Sequence, residues 1–274
     1  KGIPMILEVN DSALVERVRT LLLKKLACKI EHWTFQHVTG LVFISRHFED
    51  LAKKHYDNIA PSVVSPNAAD TKVFNPDNYD SDQAKQKYGV SGKVVCGFAG
   101  AFHHWHGIDW FVESVVDKLA DHPNLVLLLI GDGPRHEYIK ELAQAHNLTS
   151  QIIMPGRIAH EEIPNAIAAM DFGIIPDSND YGSPMKLFEF MAMGKGMIVP
   201  DFSPITEVVV DNNNSWLFKR KDKKDCVDKF FNIASNPENL QLVGTNAIKY
   251  IETSRQWRHN VEQIIELSTN KGSL

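Results

Sequence analysis

Several things are scarce in this sequence, and each scarcity excludes something. Cysteine occurs three times in 274 residues, at Cys28, Cys96 and Cys226, an odd number at wide spacing. That excludes a disulfide framework and fits a reducing compartment, so a cytoplasmic location is expected. No apolar run approaches the roughly 20 residues of a membrane-spanning helix, and no segment has the order of a secretory signal. Positive charge is not in excess: 29 Lys and Arg face 34 Asp and Glu, a formal net charge of −5. A dedicated nucleic-acid binder, with its concentrated basic face, is therefore not expected. The G-x-G-x-x-G spacing is also missing, which argues against a dinucleotide site and a nicotinamide dehydrogenase. Small anionic ligands survive these exclusions, because they need only local positive charge.

What is present is rhythm. The chain opens at Lys1 in the strand-like run "IPMILEV", without a methionine, and so reads as part of something longer. Residues 11–35 predict one amphipathic helix, with Leu14, Val18, Leu21 and Leu22 at helical spacing. "GLVFIS" predicts a buried strand and "RHFEDLAKKHY" the helix after it. "PSVVSPNAADTKVFNPDNYD", punctuated by three prolines, predicts a loop and a domain boundary. Beyond it, strands ("KVVCGFAG", "LVLLLIGDG", "QIIMPG", "DFGIIP", "GMIVP") alternate with helical stretches. Among the helices are "GIDWFVESVVDKLADH", "PRHEYIKELAQAHN", "HEEIPNAIAAM" and the one beginning in "GSPMKLFEFMAMGK". Apolar strands without alternation are buried on both faces, which implies a parallel sheet covered by helices. The fold class is therefore α/β, a doubly wound parallel sheet, in which ligands bind at the carboxyl ends of the strands.

Those ends carry every candidate motif. In "GSPMKLFEF", Ser183 and Pro184 predict an N-cap and first helical position. Lys186 would then stand third, where its charge opposes the macrodipole by roughly 0.3–1 kcal/mol. An anion at the helix start would reverse the sign, since open backbone N–H groups and one lysine make a phosphate cradle. Glu189 lies one turn on, facing the same rim, where a carboxylate can accept two hydroxyls of a ribose diol. The competing explanation is a solvated Lys–Glu pair. In "GFAGAFHHWHG" the glycines, Gly100 among them, permit close approach of a ligand to the backbone. His103, His104 and His106 are candidates for phosphate or sugar contacts rather than a metal, because no paired Cys or His follows. "IGDGP" is explained by turn chemistry alone. "PGRIAH" could offer backbone groups to the edge of a base, or leave Arg157 simply exposed. "DSND" (residues 177–180) is either a loop or, less favoured, a metal-binding carboxylate cluster. No metal and no cofactor is expected.

These motifs together resemble the retaining glycosyltransferases of family 4, whose GT-B fold has two facing Rossmann-like domains. "SPNAADTKVF" is similar to the family's interdomain segment, with Ala68 where glycine is usual. "GFAGAFHHWHGIDWFVES", "LLLIGDGP", "MPGRIAHEEIPNAIAAMDFGIIP", "GSPMKLFEFMAMGKGMIVPDFSPITEVV" and "NNNSWLF" follow in the family's order. The resemblance implies a remnant of the acceptor domain over 1–63, a donor-binding Rossmann-like domain over 64–246, and a C-terminal helix over 247–274 packing back toward the first. It implies a nucleotide-diphosphate sugar donor. Glu189 would hold the ribose, and Arg157 and Ile158 would meet the base. Gly182, Ser183, Met185 and Lys186 would meet the diphosphate and sugar. The acceptor, a saccharide or lipid-linked glycan, would be chosen mainly by the missing part, which could also carry a peripheral membrane contact.

Two departures stand out. The family's glutamate eight places before Glu189 is Tyr181 here, with Asp180 beside it as another possible sugar contact. His106 occupies the usual lysine position before Gly107, so Lys186 and the histidines are expected to supply the positive charge. Alternatives are a nucleotide-binding module without catalysis and a nucleotide-sugar epimerase.

Overall fold

A computed structural model of the chain describes residues 3–15 and 23–269. Its first part is a small parallel sheet built from β1 (Ile6–Val9), α1 (Lys24–His37), β2 (Gly40–Phe43), α2 (Arg46–His55) and β3 (Ser62–Val64). The strands lie in the order β1-β2-β3. Two expectations are corrected here. The helix predicted over 11–35 is not continuous. Residues 11–15 form a turn tied by Glu31, whose carboxylate accepts from Ser12 Oγ at 2.7 Å and from Ala13 N at 2.8 Å. The helix itself starts at Lys24, and Val18, Leu21 and Leu22 lie outside the described residues. The stretch predicted as loop after Pro61 contains β3, which extends the sheet because Val63 and Val64 pair with Val42 and Phe43.

The second part is a six-stranded parallel sheet. Its elements are α3 (Ser81–Lys87), β4 (Val94–Ala99), α4 (Ile108–Leu119), β5 (Leu125–Ile130), α5 (His136–Ala145), β6 (Ile152–Gly156), α6 (Ile163–Ala168) and β7 (Phe172–Ile174). After them come α7 (Met185–Ala192), β8 (Met197–Pro200), α8 (Ser203–Thr206), β9 (Trp216–Phe218), α9 (Lys223–Ala234), α10 (Pro237–Ser254) and α11 (Trp257–Thr269). The strand order β6-β5-β4-β7-β8-β9 reverses direction between β4 and β7. The unbroken apolar strands have the expected cause. Val95, Ala99, Val126, Leu128 and Ile130 pack into one core with α3, α6 and α7. Cys96, Phe98, Leu125, Leu127 and Leu129 pack into the other with α4, α5 and α9. The alternation in side-chain direction survives, but both directions end in hydrocarbon.

Three details differ from the predicted elements. Pro134 precedes α5 rather than opening it, with Arg135 as its cap. The stretch before α6 begins as a tight 3-10 turn, His160–Glu162. Helix α7 is capped by Pro184, so Ser183 lies outside it and Lys186 is the second helical residue. The chain then returns: Asn260 Nδ2 donates to Pro66 O at 2.9 Å, and Leu267 of α11 lies over Gly40 of the first sheet. No helix among the described residues is long and apolar enough to cross a membrane.

Candidate functional site

The strand order reverses between β4 and β7, the place where sheets of this kind put their ligand crevice. Three neighbouring loops interlock beside it. Gly100 N donates to Ile130 O at 2.9 Å, Phe102 N to Asp132 O at 2.9 Å, and Gly131 N to Gly156 O at 2.9 Å. This close approach requires glycine: a Cβ on Gly131 would lie 1.9 Å from Gly100 O, at a φ of +136°. The loops enclose a cavity of about 540 Å³ lined by Gly100, Gly131, Asp132, Arg157, Ile158 and Ile163, among others.

Lys186 occupies the edge of this region. Its ammonium is buried, has no hydrogen-bond partner among the described residues, and sits 4.3 Å from the centre of the Phe98 ring. A Cβ added to Gly100 would come within 2.7 Å of Nζ, at a φ of +152°. The solvated Lys–Glu pair is not what forms, since among the described residues Lys186 makes no salt bridge to Glu189. Burial lowers the Lys186 pKa from 10.5 to about 8, and only the more distant Glu189 carboxylate acts the other way. A positive charge held on a hydrocarbon ring next to open helix-start amides is poised for an anion.

Glu189 is half-buried, and its carboxylate pKa is raised by that burial, partly countered by His160 and Lys186. Among the described residues its carboxylate accepts no hydrogen bond, so both oxygens are open to hydroxyl donors. The histidines divide. His103 stacks on Trp105 with centroids 4.1 Å apart. His106 is half-buried near Phe98, and its pKa is pushed down to about 4 by desolvation first, then by Lys186 and His103. The expectation that His106 shares the positive charge is thereby corrected: a neutral imidazole stands there near pH 7, kept so by desolvation first and by Lys186 second.

The loop before α7 does not keep the predicted residues together. Tyr181 packs on Phe48 of α2, 4.9 Å between rings, and belongs to the hydrophobic core of the first sheet. It is therefore not aimed into the cavity, because that apolar neighbourhood takes its ring. Asp180 forms a salt bridge with Arg220, whose guanidinium also lies over Phe202. Asn179 Oδ1 accepts from the Gly182 and Tyr181 amides, and Asp177 from that of Ser178. The "DSND" groups thus serve their own backbone and Arg220. Ser183 is buried and accepts from Asn67 N at 3.0 Å, while Asn67 Nδ2 donates to Ser183 O at 2.6 Å. Met185 and Arg157 are exposed, and Ile158 is half-buried.

Two participants escaped sequence reasoning. Phe98 looked like any core residue of an apolar strand, and Gly131–Gly133 looked like an ordinary turn. The available signal was combinatorial: glycine ended two strands that the order of elements already placed side by side.

The family model described as "Glycosyl transferases group 1" matches residues 93–236, just over half the chain. Among curated relatives, the chain is similar to alpha-D-kanosaminyltransferase of Streptomyces kanamyceticus. The identity is 17% over 255 residues, covering 90% of this chain and 65% of that protein. It is also 28% identical over 196 residues to the lipopolysaccharide core biosynthesis mannosyltransferase LpsB of Rhizobium meliloti, covering 69% of this chain and 55% of that one. The chain thus spans less than two thirds of either relative's length. Among solved structures, Anabaena Alr3699/HepE in complex with UDP and glucose superposes with a TM-score of 0.78 at 17% identity. That match covers 98% of this chain and 72% of the other, a likeness of fold.

Proposed function

The chain belongs to the group 1 glycosyl transferases, and from that membership we propose that it holds a nucleotide-diphosphate sugar at the carboxyl ends of β4–β7 for transfer of the sugar with retention of configuration. The observation that carries this reading is the Lys186 ammonium, buried at the start of α7 without a hydrogen-bond partner among the described residues. Negative charge grows on the departing diphosphate, and fixed donors aimed at it stabilise the transition state more than the bound donor. Lys186 and the first amides of α7 take that role. Glu189 holds the ribose diol, Arg157 and Ile158 border the base, and Gly100 lets the chain of phosphates approach. The cation being supplied by a side chain, the reading includes no metal and no cofactor.

The relatives' names refer to sugar transfer onto aminocyclitols, lipopolysaccharide and lipid-linked acceptors. A saccharide or lipid-linked acceptor is accordingly part of the proposal, as is a cytosolic location, which suits three unpaired cysteines. The test is turnover of a donor panel by the full-length protein carrying Lys186→Ala. A loss of at least a hundredfold in kcat with a smaller change in nucleotide affinity is expected, and unchanged kcat removes Lys186 from the chemistry.

One observation favours a second reading, a nucleotide-binding module without transfer. The Asp180 carboxylate is tied to Arg220, and position 181 holds a tyrosine packed on Phe48, so neither position supplies a free carboxylate to the sugar. A full-length protein that binds nucleotide yet turns over no donor would select that reading.

A further inference from the structure

The loop after β4 sets an indole in solvent. Phe98 and Phe102 are fully buried, whereas Trp105, inside the 3-10 turn His104–His106, is 55% exposed. One face of that indole is already covered, because His103 lies against it with centroids 4.1 Å apart and planes 9° apart. An exposure above one half therefore leaves the opposite face open. The sugar-transfer reading gives this ring no task.

The turn that carries it is pinned on two sides. Gly107 ends it at a φ of +71°, where a Cβ would lie 2.3 Å from Trp110 Nε1 and 3.1 Å from Asp177 Cβ. His106 O accepts from Asp177 N at 3.1 Å, which ties the turn to the loop after β7. From the indole, ring contacts lead inward to the ammonium: Trp105 to His106 at 6.0 Å, His106 to Phe98 at 6.3 Å, and Phe98 to Lys186 Nζ at 4.3 Å. The cavity beside Arg157 and Ile158 is lined by the loops after β4, β5 and β6. Lys186 lies at β4, and the Trp105 turn is tied to the β7 side. In the strand order β6-β5-β4-β7, cavity, ammonium and indole thus occur in succession. A nucleotide sugar with its base in the cavity and its diphosphate on Lys186 directs its hexose toward Trp105.

Single exposed aromatics are common, and most need no explanation. Stacking on histidine is not distinctive either, since Trp33 is 61% exposed and stacks on His37 at 4.3 Å. That pair follows from helix geometry, the two residues lying four apart in α1. No helix imposes the Trp105 pair, and it stands on the sugar side of the ammonium. We propose that the open face of Trp105, backed by His103, is a platform for the apolar C–H face of a pyranose ring. A flat ring with two side-chain torsions presents a large apolar area at little ordering cost. The inference rests on the sugar-transfer reading and adds to it a residue that selects the sugar. A donor hexose and an acceptor saccharide both offer such a face, and the test separates them.

The test uses the full-length protein. Calorimetry compares UDP, GDP and ADP with UDP-glucose, UDP-N-acetylglucosamine, GDP-mannose and ADP-glucose, and transfer is measured onto p-nitrophenyl hexopyranosides. Trp105→Ala should leave affinity for the nucleoside diphosphate unchanged. With the donor hexose on the platform, it should weaken nucleotide-sugar binding about tenfold. With the acceptor there, it should raise the glycoside KM about tenfold while donor hydrolysis stays unchanged. Trp105→Phe should recover most of either loss, and Trp33→Ala should cause neither. Unchanged nucleotide-sugar affinity with no loss of transfer to any glycoside overturns the proposal. So does an equal loss in Trp105→Phe, or a matching loss for the nucleoside diphosphate, either of which would make Trp105 a support for its loop. A protein that binds none of the three diphosphates rejects the sugar-transfer reading itself, and the platform with it.

Discussion

Replacing Lys186 by methionine should make the ligand-free protein more stable while depriving it of its anion. The substitution keeps an unbranched stem of similar volume and removes only the charge. Lowering the lysine pKa from 10.5 to about 8 means that the folded state disfavours the charged form. At 1.36 kcal/mol per pKa unit, that penalty is about 3 kcal/mol. The lost contact with the Phe98 face offsets roughly 1–2 kcal/mol of it, leaving a net gain of about 1–2 kcal/mol. In a chain of this size each kcal/mol raises Tm by about 2–4 °C. The pH dependence fixes the sign. Below pH 8 the lysine is charged in both folded and unfolded chains, so the penalty is complete. Between 8 and 10.5 the folded chain has released its proton while the unfolded chain retains it, and the penalty fades. Lys186→Met should therefore outlast the parent in urea at pH 7, and the difference should shrink by pH 9.5. Adding a nucleoside diphosphate should reverse the ranking, because only the parent gains the ion pair. A variant that is less stable than the parent at pH 7, or that responds equally to the nucleotide, would refute the reasoning.

Other expectations rest on separate contacts. Diphosphate binding at pH 8.5 should draw a proton from buffer, because the anion restores the charge on Lys186, and affinity should fall as pH rises above 8; calorimetry in buffers of different ionisation enthalpy reads this directly. Glu189→Ala should weaken nucleoside diphosphate binding by about tenfold or more, the worth of a hydrogen bond to a charged group, whereas a 2′-deoxynucleotide should lose less; identical affinities in calorimetry would reject the ribose role. Gly100→Ala places a methyl 2.7 Å from Lys186 Nζ in a backbone conformation strained for alanine, so nucleotide binding should be lost while circular dichroism stays unchanged. Glu207 accepts from Arg46 N with both oxygens, at 2.9 and 3.0 Å, and Glu207→Ala should cost about 1–3 kcal/mol by leaving the start of α2 unpaired; an unchanged midpoint in urea would show that the contact carries nothing.

Much of this was legible because it depends on short-range rules. Leu125–Ile130 had to be a strand covered on both faces, and small residues had to end β4 and β5 for their loops to interlock. The position of Lys186 at a strand rim followed from element order alone. What could not be read depended on distant partners. The turn at 11–15 exists because Glu31 reaches back to it, and β3 exists because Phe43 and its neighbours offer an edge to pair with. Tyr181 looked like a substitute for a carboxylate, yet an apolar ring prefers Phe48, which lies over a hundred residues earlier. His106 looked cationic from its type, and desolvation, with the nearby ammonium second, keeps it neutral. A charge state belongs to a neighbourhood, and the neighbourhood is assembled by the fold.

The segment leading into α7 is stitched to the small sheet and to the chain just after it: Ser45 Oγ to Tyr181 O, the Tyr181 ring to Phe48, and Asn67 to the side chain and carbonyl of Ser183. Only two residues separate the last of these stitches from Lys186. Any tilt of the small sheet is consequently delivered to the ammonium through a strut too short to absorb it. Whatever seats itself against that sheet gains mechanical leverage over the anion cradle without touching it.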